Sequence, residues 1–464
     1  MEQSFDLIVV GSGPGGYVAA IRASQLGMKT AVVERENLGG ICLNWGCIPT
    51  KALLKSAEVA EYFKHAQDYG FELSGVGMQF DKIVSRSRGV ADKMSKGVQF
   101  LFRKNNITAV FGTGRLTAPH RVEVALNAGG SAVLTAPHVV VATGARARNL
   151  PGMEIDGKHI IGYREAMTLP YRPKSMVIMG SGAIGTEFAY FYNALGTKVF
   201  LVEYLDRILP NEDEEVSKQL MRVFKKNGIE ILTSTQITGV EKKPSGVRVA
   251  MNTGGKTEYL EADVLLSAVG VVANVENLGL EALGVAMEKG KIKVDEYLRT
   301  NVPGVYAIGD CVPGPALAHK ASAEALVCVE KIAGHHPQPV DHLNIPNCVY
   351  CQPEVASVGL TEKAALEAGY ELKVGKFPFT ASGKATAAGK SEGFVKLVFD
   401  AKYGELLGAH LLGANVTEMI AELVVAKKLE TTGHEIIKSV HPHPTMSEAV
   451  MEAAAAAYGE VIHL

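Results

Sequence analysis

Two cysteines, Cys42 and Cys47, lie in the stretch Gly39-Gly40-Ile41-Cys42-Leu43-Asn44-Trp45-Gly46-Cys47-Ile48-Pro49-Thr50-Lys51. A thiol pair can exchange with a disulfide only if the backbone brings the two sulfurs together. On an ideal helix, positions i and i+5 are about 140° apart with a rise of about 7.5 Å, which exceeds comfortable disulfide reach. Gly39, Gly40 and Gly46 can supply irregular backbone, and a bond made that way would be reducible rather than inert. Pro49 suits the first turn of a helix, leaving Cys47 beside a partly positive helix end. That effect is worth about 0.3–1 kcal/mol, under one pKa unit at about 1.36 kcal/mol. A cation or an electron-poor ring must therefore help to hold Cys47 as thiolate.

An acid–base group is legible near the C-terminus, in His441-Pro442-His443-Pro444-Thr445-Met446-Ser447-Glu448. Pro442 and Pro444 restrict the chain around His443, which helps to aim an imidazole. Thr445-x-x-Glu448 also has the form of a capping box for the helix expected from Ala449 to Tyr458. In that reading Glu448 serves the helix N-terminus, while His441 reads as positional. The remaining cysteines carry less. Cys348-Val349-Tyr350-Cys351 is a C-x-x-C in an apparent strand, where positions i and i+3 face opposite sides. Cys311 and Cys328 read as ordinary small side chains, and no metal ligand set is apparent.

The elements that must position these groups begin with a strand at Phe5–Val10. It runs into Gly11-Ser12-Gly13-Pro14-Gly15-Gly16, a helix over Tyr17–Leu26, a strand over Thr30–Val33, and Glu34. This is G-x-G-x-x-G in the context that binds a dinucleotide. Gly11 permits the tight turn, Gly13 allows close approach to a pyrophosphate, and Gly16 allows helix–strand packing. The helix N-terminus faces the phosphates, and Glu34 can accept from a ribose diol. The pattern recurs as the strand Ser175–Met179, then Gly180, Gly182 and Gly185, a helix, the strand Lys198–Val202, and Glu203. Each matched position stands 169 residues after its counterpart (180 against 11, 203 against 34). A chain with two such units is expected to bind two dinucleotides. Glu203 would repel a 2′-phosphate, so the second site is expected to prefer NAD over NADP.

Composition excludes several other classes. Lys plus Arg number 47 and Asp plus Glu 49, a formal charge of −2, without the basic excess of a nucleic-acid binder. The longest apolar run, Val264 to Val275, is too short for a membrane span of about 20 residues. No secretory or transit segment fits ahead of the first motif, since Asp6 is read as opening a strand. Six cysteines in 464 residues are too sparse for a disulfide scaffold. The expectation is a cytoplasmic protein, or the processed form of an organellar one. The 49 glycines follow no collagen period and are read as turn and ligand-approach positions.

GGICLNWGCIPTK, taken with the two nucleotide units, resembles the flavoprotein disulfide reductases, and within them the branch that acts on dihydrolipoamide. The resemblance covers essentially the whole chain. It implies an α/β fold: two Rossmann-like domains binding FAD and NAD, and a C-terminal α+β dimerisation domain. The boundaries would be 1–150 for the first part of the FAD domain, 151–275 for the NAD domain, 276–345 for the segment completing the FAD domain, and 346–464 for the interface domain. It makes Cys42 the thiol that exchanges with substrate and Cys47 the flavin-facing one. Lys51 matches the family lysine near the flavin, and Glu187 its acidic partner. Gly114 corresponds to backbone near the FAD adenine, and Ala142-Thr143-Gly144 to a turn closing the first part of that domain. Asp310 would hold a ribityl hydroxyl, with Leu317, Ala318 and His319 near the flavin, and Gly270 ends the NAD unit. Val271 stands where the family often has a basic residue, a departure that bears on NAD contacts alone. The segment around His443 matches the family's base, oriented by Glu448 and contributed from the neighbouring subunit.

The implied activity is oxidation of protein-bound dihydrolipoamide with reduction of NAD, in a homodimer. The implied partners are the lipoyl-bearing acyltransferase core of 2-oxoacid dehydrogenase complexes or a lipoylated glycine cleavage protein, with no nucleic acid and no membrane. Two alternatives stay open: another NADH-dependent flavin disulfide reductase, such as a mercuric-reductase-like enzyme, or a flavin-bound assembly subunit without catalysis.

Overall fold

The computed structural model describes residues 2–464. The chain forms two compact units. One comprises residues up to Leu53, Asp81–Arg148 and Gly270–Val340; the other comprises Leu54–Phe80, Asn149–Val269 and Asp341–Leu464.

In the first unit, five strands form a parallel set in the order Thr108–Ala118, Thr30–Glu34, Leu7–Val10, His138–Val141 and Val305–Ala307. Leu7–Val10 is buried at every position, as a strand covered on both faces requires. The strand Thr108–Ala118 pairs in parallel through its first half and antiparallel through its second, where Arg121–Leu126 and Ser131–Thr135 extend the sheet. Glu2–Ser4 closes that edge. Asp6 does not open the strand: it lies between Glu2–Ser4 and Leu7–Val10, and its carboxylate accepts the Lys29 N–H at 2.7 Å.

The second unit contains a five-stranded parallel sheet in the order Glu230–Leu232, Lys198–Val202, Ser175–Met179, Val264–Ser267 and Ile160–Ile161. A three-stranded antiparallel sheet spans Thr235–Ala262. Its C-terminal portion is an antiparallel sheet ordered Asn347–Val349, Glu354–Gly359, Leu406–Gly413, Phe394–Asp400 and Leu372–Pro378. Phe394–Asp400 is buried at all seven positions. It is an inner strand, with the helix Glu448–Tyr458 among the elements packed on it.

Both parallel sets share a feature that positions a ligand. Leu7–Val10 and Ser175–Met179 each send their next strand to one side and receive a later strand on the other. The crevice beyond the carboxyl end of such a strand is where open α/β sheets bind ligands, and each G-x-G turn stands there.

Candidate active site

The two glycine turns are built alike. Gly11 has φ +103° and Gly180 has φ +97°, the left-handed region that glycine adopts without strain. A Cβ on Gly16 would lie 1.9 Å from the Gly11 carbonyl oxygen, and one on Gly185 would lie 2.0 Å from that of Gly180. These four glycines are therefore required by the chain's own packing. Gly13 and Gly182 differ. A Cβ there would meet nothing within 4 Å, and both have φ near −65°, open to any residue. Their need for glycine lies in whatever approaches from outside, which is how a pyrophosphate-binding turn should look. The helices Pro14–Gln25 and Ala183–Ala194 begin there with N-terminal N–H groups suited to an anion.

The acidic strand ends are more tightly held than their motif suggests. Glu34 Oε2 accepts the Ser12 N–H at 3.0 Å and the Ser12 hydroxyl at 2.6 Å, while Oε1 accepts the Glu36 N–H at 2.8 Å. Glu203 repeats this with Ser181 N–H at 2.9 Å, Ser181 hydroxyl at 2.6 Å and Leu205 N–H at 2.9 Å. A carboxylate has about four acceptor sites, so each keeps about one, on Oε1. Sequence reasoning missed Ser12 and Ser181, although they share the 169-residue offset that marked the glycines.

The cysteines stand against the first turn. Gly39, at φ +96°, caps the short helix Gly40–Trp45. Its N–H donates to Ser12 O at 3.1 Å and Ser12 Oγ at 3.2 Å, and a Cβ on Gly40 would fall 2.6 Å from Gly13 Cα. Gly46 breaks the helix, and a new one runs over Cys47–Lys64, starting two residues before Pro49. Cys42 thus sits in one helix and Cys47 in the first turn of the next. The break replaces ideal i, i+5 geometry and lets the two thiols hydrogen-bond. That bond, with burial and the proximity of Cys47, pushes the Cys42 thiol well above its ordinary range, and Lys51 opposes the shift. Burial, then Cys42 and Cys47, also raises Tyr17, a neighbour that sequence reasoning did not single out. Trp45 is covered by the Arg88 guanidinium 4.5 Å from its ring, and Arg88 also donates to Asn44 O.

Thr143 and Asn274 bind reciprocally: Thr143 Oγ1 donates to Asn274 O at 2.6 Å, and Asn274 Nδ2 donates to Thr143 O at 3.0 Å. Ala142 N–H joins Val10 O at 2.8 Å, and Gly144 O accepts the Asn274 N–H at 2.9 Å. Gly114 packs in the sheet, where a Cβ would come 3.1 Å from Val33. Asp310 lies half-buried in the turn Gly309–Cys311. Leu317 caps the helix Ala318–Ile332, whose first turn carries Ala318 and His319.

Gly270, at φ +97°, opens the last segment of the first unit, and Val271 follows in a short strand opposite Ala147. Glu187 is buried, and its Oε1 accepts the Tyr350 N–H at 3.0 Å. Cys351 lies beyond the strand Asn347–Val349 and donates to Pro353 O at 3.2 Å. The C-x-x-C is thus only partly in a strand. Among the described residues no cluster of His, Cys, Asp and Glu could hold a metal ion.

His443 Nδ1 and Glu448 Oε1 are 2.8 Å apart, with the imidazole 79% exposed. Glu448 Oε2 also accepts the Thr445 N–H at 2.7 Å. Against partial burial, that bond and then His443 draw the carboxyl below its ordinary value. One carboxylate therefore secures the turn and orients the imidazole. The expected capping box is otherwise incorrect: Ser447 is the N-cap, and the Thr445 hydroxyl turns back to Pro442 O at 2.7 Å. His441 is held by Ser439 O at 3.0 Å and Glu422 at 2.8 Å, in keeping with a positional role.

A dithiol on a dinucleotide turn, with a second such turn and a carboxylate-oriented histidine elsewhere in the chain, defines a class: a nucleotide-dependent thiol oxidoreductase. Residues 5–325 match the pyridine nucleotide-disulphide oxidoreductase family and 345–454 match its dimerisation domain. The chain belongs to that family, which uses FAD and NAD. It is 50% identical over 480 residues to a dihydrolipoyl dehydrogenase of Rhizobium etli, covering all of both chains. It is also 50% identical over 465 residues to a dihydrolipoyl dehydrogenase of Zymomonas mobilis, again over all of both. The crystal structure of LpdA from Mycobacterium tuberculosis aligns with a TM-score of 0.91 at 26% identity, over 97% of this chain and 99% of that one. No helix among the described residues is long and apolar enough to cross a membrane.

Proposed function

We propose that this chain is an NAD-dependent dihydrolipoyl dehydrogenase. The observation that carries the reading is the seating of the redox helix on the first nucleotide turn, through Gly39 on Ser12 and Gly40 on Gly13. It holds the dithiol beside one dinucleotide while a duplicate turn serves another.

FAD is assigned to Gly11, Gly13, Gly16, Glu34, Lys51, Gly114, Ala142, Thr143, Gly144, Asp310, Leu317, Ala318 and His319. NAD is assigned to Gly180, Gly182, Gly185, Glu203 and Gly270, and Glu187 is assigned as a further cofactor-binding residue. Residues 1–150 and 276–345 are the FAD domain, 151–275 the NAD domain, and 346–464 the interface of a homodimer.

In the reaction, His443 of one protomer takes a proton from a substrate thiol bound at the other. The thiolate attacks Cys42 Sγ of the Cys42–Cys47 disulfide, the S–S bond breaks, and Cys47 leaves as thiolate. The second substrate thiol then displaces Cys42 and closes the substrate disulfide, so the substrate is oxidised as the cysteine pair is reduced. The proton of the second substrate thiol passes to Cys42, and Cys47, in the first turn of the helix Cys47–Lys64, keeps the negative charge. FAD held at Gly11, Gly13, Gly16 and Glu34 would supply the two-electron chemistry that links this cysteine pair to NAD held at Gly180, Gly182, Gly185 and Glu203.

The partners are the lipoyl-bearing core of 2-oxoacid dehydrogenase complexes or a lipoylated glycine cleavage protein, in the cytoplasm or an organellar matrix. Anaerobic titration with dihydrolipoamide tests the reading. A long-wavelength thiolate–flavin absorption band and formation of NADH are expected; their absence refutes it.

A further inference from the structure

An ion pair that no step above uses lies behind the turn carrying Asp310. Lys320 and Glu324 stand one turn apart on the helix Ala318–Ile332, with side chains 0% and 2% exposed. Lys320 Nζ donates to Gly309 O at 3.1 Å and Pro313 O at 3.0 Å, and meets Glu324 Oε1 at 2.8 Å. These contacts engage all three ammonium donors. Glu324 Oε2 accepts the Gly309 N–H at 2.7 Å. The pair thus grips Gly309 through both its peptide groups and the far end of the turn through Pro313.

A buried ion pair is a weak source of stability, because desolvation offsets the attraction, and apolar replacements are often neutral. What an apolar pair cannot do is bind one N–H and two carbonyls and so dictate the path of five residues. Gly309 adopts φ +80°, a conformation open to several alternatives without such a hold. Asp310 lies within that path. Burial raises its carboxyl above the ordinary value, and Lys320 and Lys291 oppose the rise.

We propose that Lys320 and Glu324 are positioning residues for the cofactor, fixing the Gly309–Pro313 backbone so that Asp310 meets the hydroxyls of the FAD ribityl chain. The proposal rests on the FAD assignment above. The pair acts through the turn and not by touching flavin.

The test follows flavin release from diluted holoenzyme by fluorescence, with thermal unfolding measured alongside. Lys320→Met/Glu324→Leu removes both charges together and should weaken FAD binding by about tenfold, the scale of one hydrogen bond. Asp310→Asn in the wild-type background should also weaken it about tenfold. Added to the pairless variant, Asp310→Asn should cost less than about threefold more, since coupled sites are non-additive. FAD affinity within about twofold of wild type in the pairless variant, or full multiplication of the two effects, overturns the proposal. Should the pairless variant fail to fold, Glu324→Gln, which keeps an acceptor for the Gly309 N–H, is held to the same non-additivity. Wild-type protein that retains no flavin would refute the FAD assignment itself, a result distinct from failure of the clamp.

Discussion

Gly182 and Gly185 belong to one motif, yet alanine at the two positions should fail in different ways. At Gly185 the new Cβ would lie 2.0 Å from Gly180 O, 3.0 Å from Gly180 C and 3.3 Å from Ile178 Cγ2. Two of those atoms are backbone, so the helix must move off the strand. Overpacking of this kind costs about 1–3 kcal/mol, and more where backbone cannot yield. At Gly182 there is open space and φ is −66°. Gly→Ala at a compatible backbone position stabilises by about 0.4–1 kcal/mol through the unfolded chain. The methyl occupies the approach to the phosphates, however, and forfeits at least one charge-assisted hydrogen bond of about 1.5–3 kcal/mol. That converts to roughly a 10- to 100-fold loss of NAD affinity. Isothermal titration with NAD on the FAD-loaded protein, beside thermal melts, separates the cases. Gly182→Ala should bind NAD poorly with an undiminished melting temperature, and Gly185→Ala should melt early. A Gly182→Ala protein that melts early, or binds NAD like wild type, refutes the argument that this glycine answers to a ligand.

His443→Gln should lower turnover with dihydrolipoamide by about 10²–10⁴-fold, the usual weight of a general base, with the flavin spectrum unchanged. Because the Glu448 carboxyl lies below its ordinary value, its stabilising bonds are complete above that value and are lost as pH falls through the depressed one. In stopped-flow assays of the forward reaction, Glu448→Gln should remove that acid-side dependence. Ser12→Ala and Ser181→Ala each leave a buried carboxylate one hydrogen bond short, worth about 1.5–3 kcal/mol. The first should weaken FAD and the second NAD, and equal effects on both nucleotides in either variant would contradict the assignment. Lys396 is 3% exposed and lies 3.1 Å from Asp213 and 3.0 Å from Glu215. Lys396→Met strands the buried Asp213 at a cost of about 3–5 kcal/mol. The melting temperature should fall and be partly restored by Lys396→Met/Asp213→Asn.

What the sequence alone determined were features whose physics is local. A G-x-G turn between a buried strand and a helix needs glycine because of dihedrals and contacts within a few residues, so Gly11, Gly16, Gly180 and Gly185 were legible, as was the break at Gly46 between Cys42 and Cys47. The His443–Glu448 pair, five residues apart, came from the family resemblance, since Thr445-x-x-Glu448 by itself read as a capping box. Local reading erred at the start of the last helix, where the Thr445 hydroxyl turns back to Pro442, three residues away, and Ser447 is the N-cap. Only the tertiary structure decided the partners that lie far apart in the chain. Ser12 reaches Glu34 across 22 residues, Thr143 reaches Asn274 across 131, and Lys320 reaches back to Gly309. Such contacts depend on strand order and register, which no short window of sequence encodes. Through them the fold engages most of the Glu34 and Glu203 carboxylates with two N–H groups and a serine hydroxyl each, leaving about one acceptor site on each.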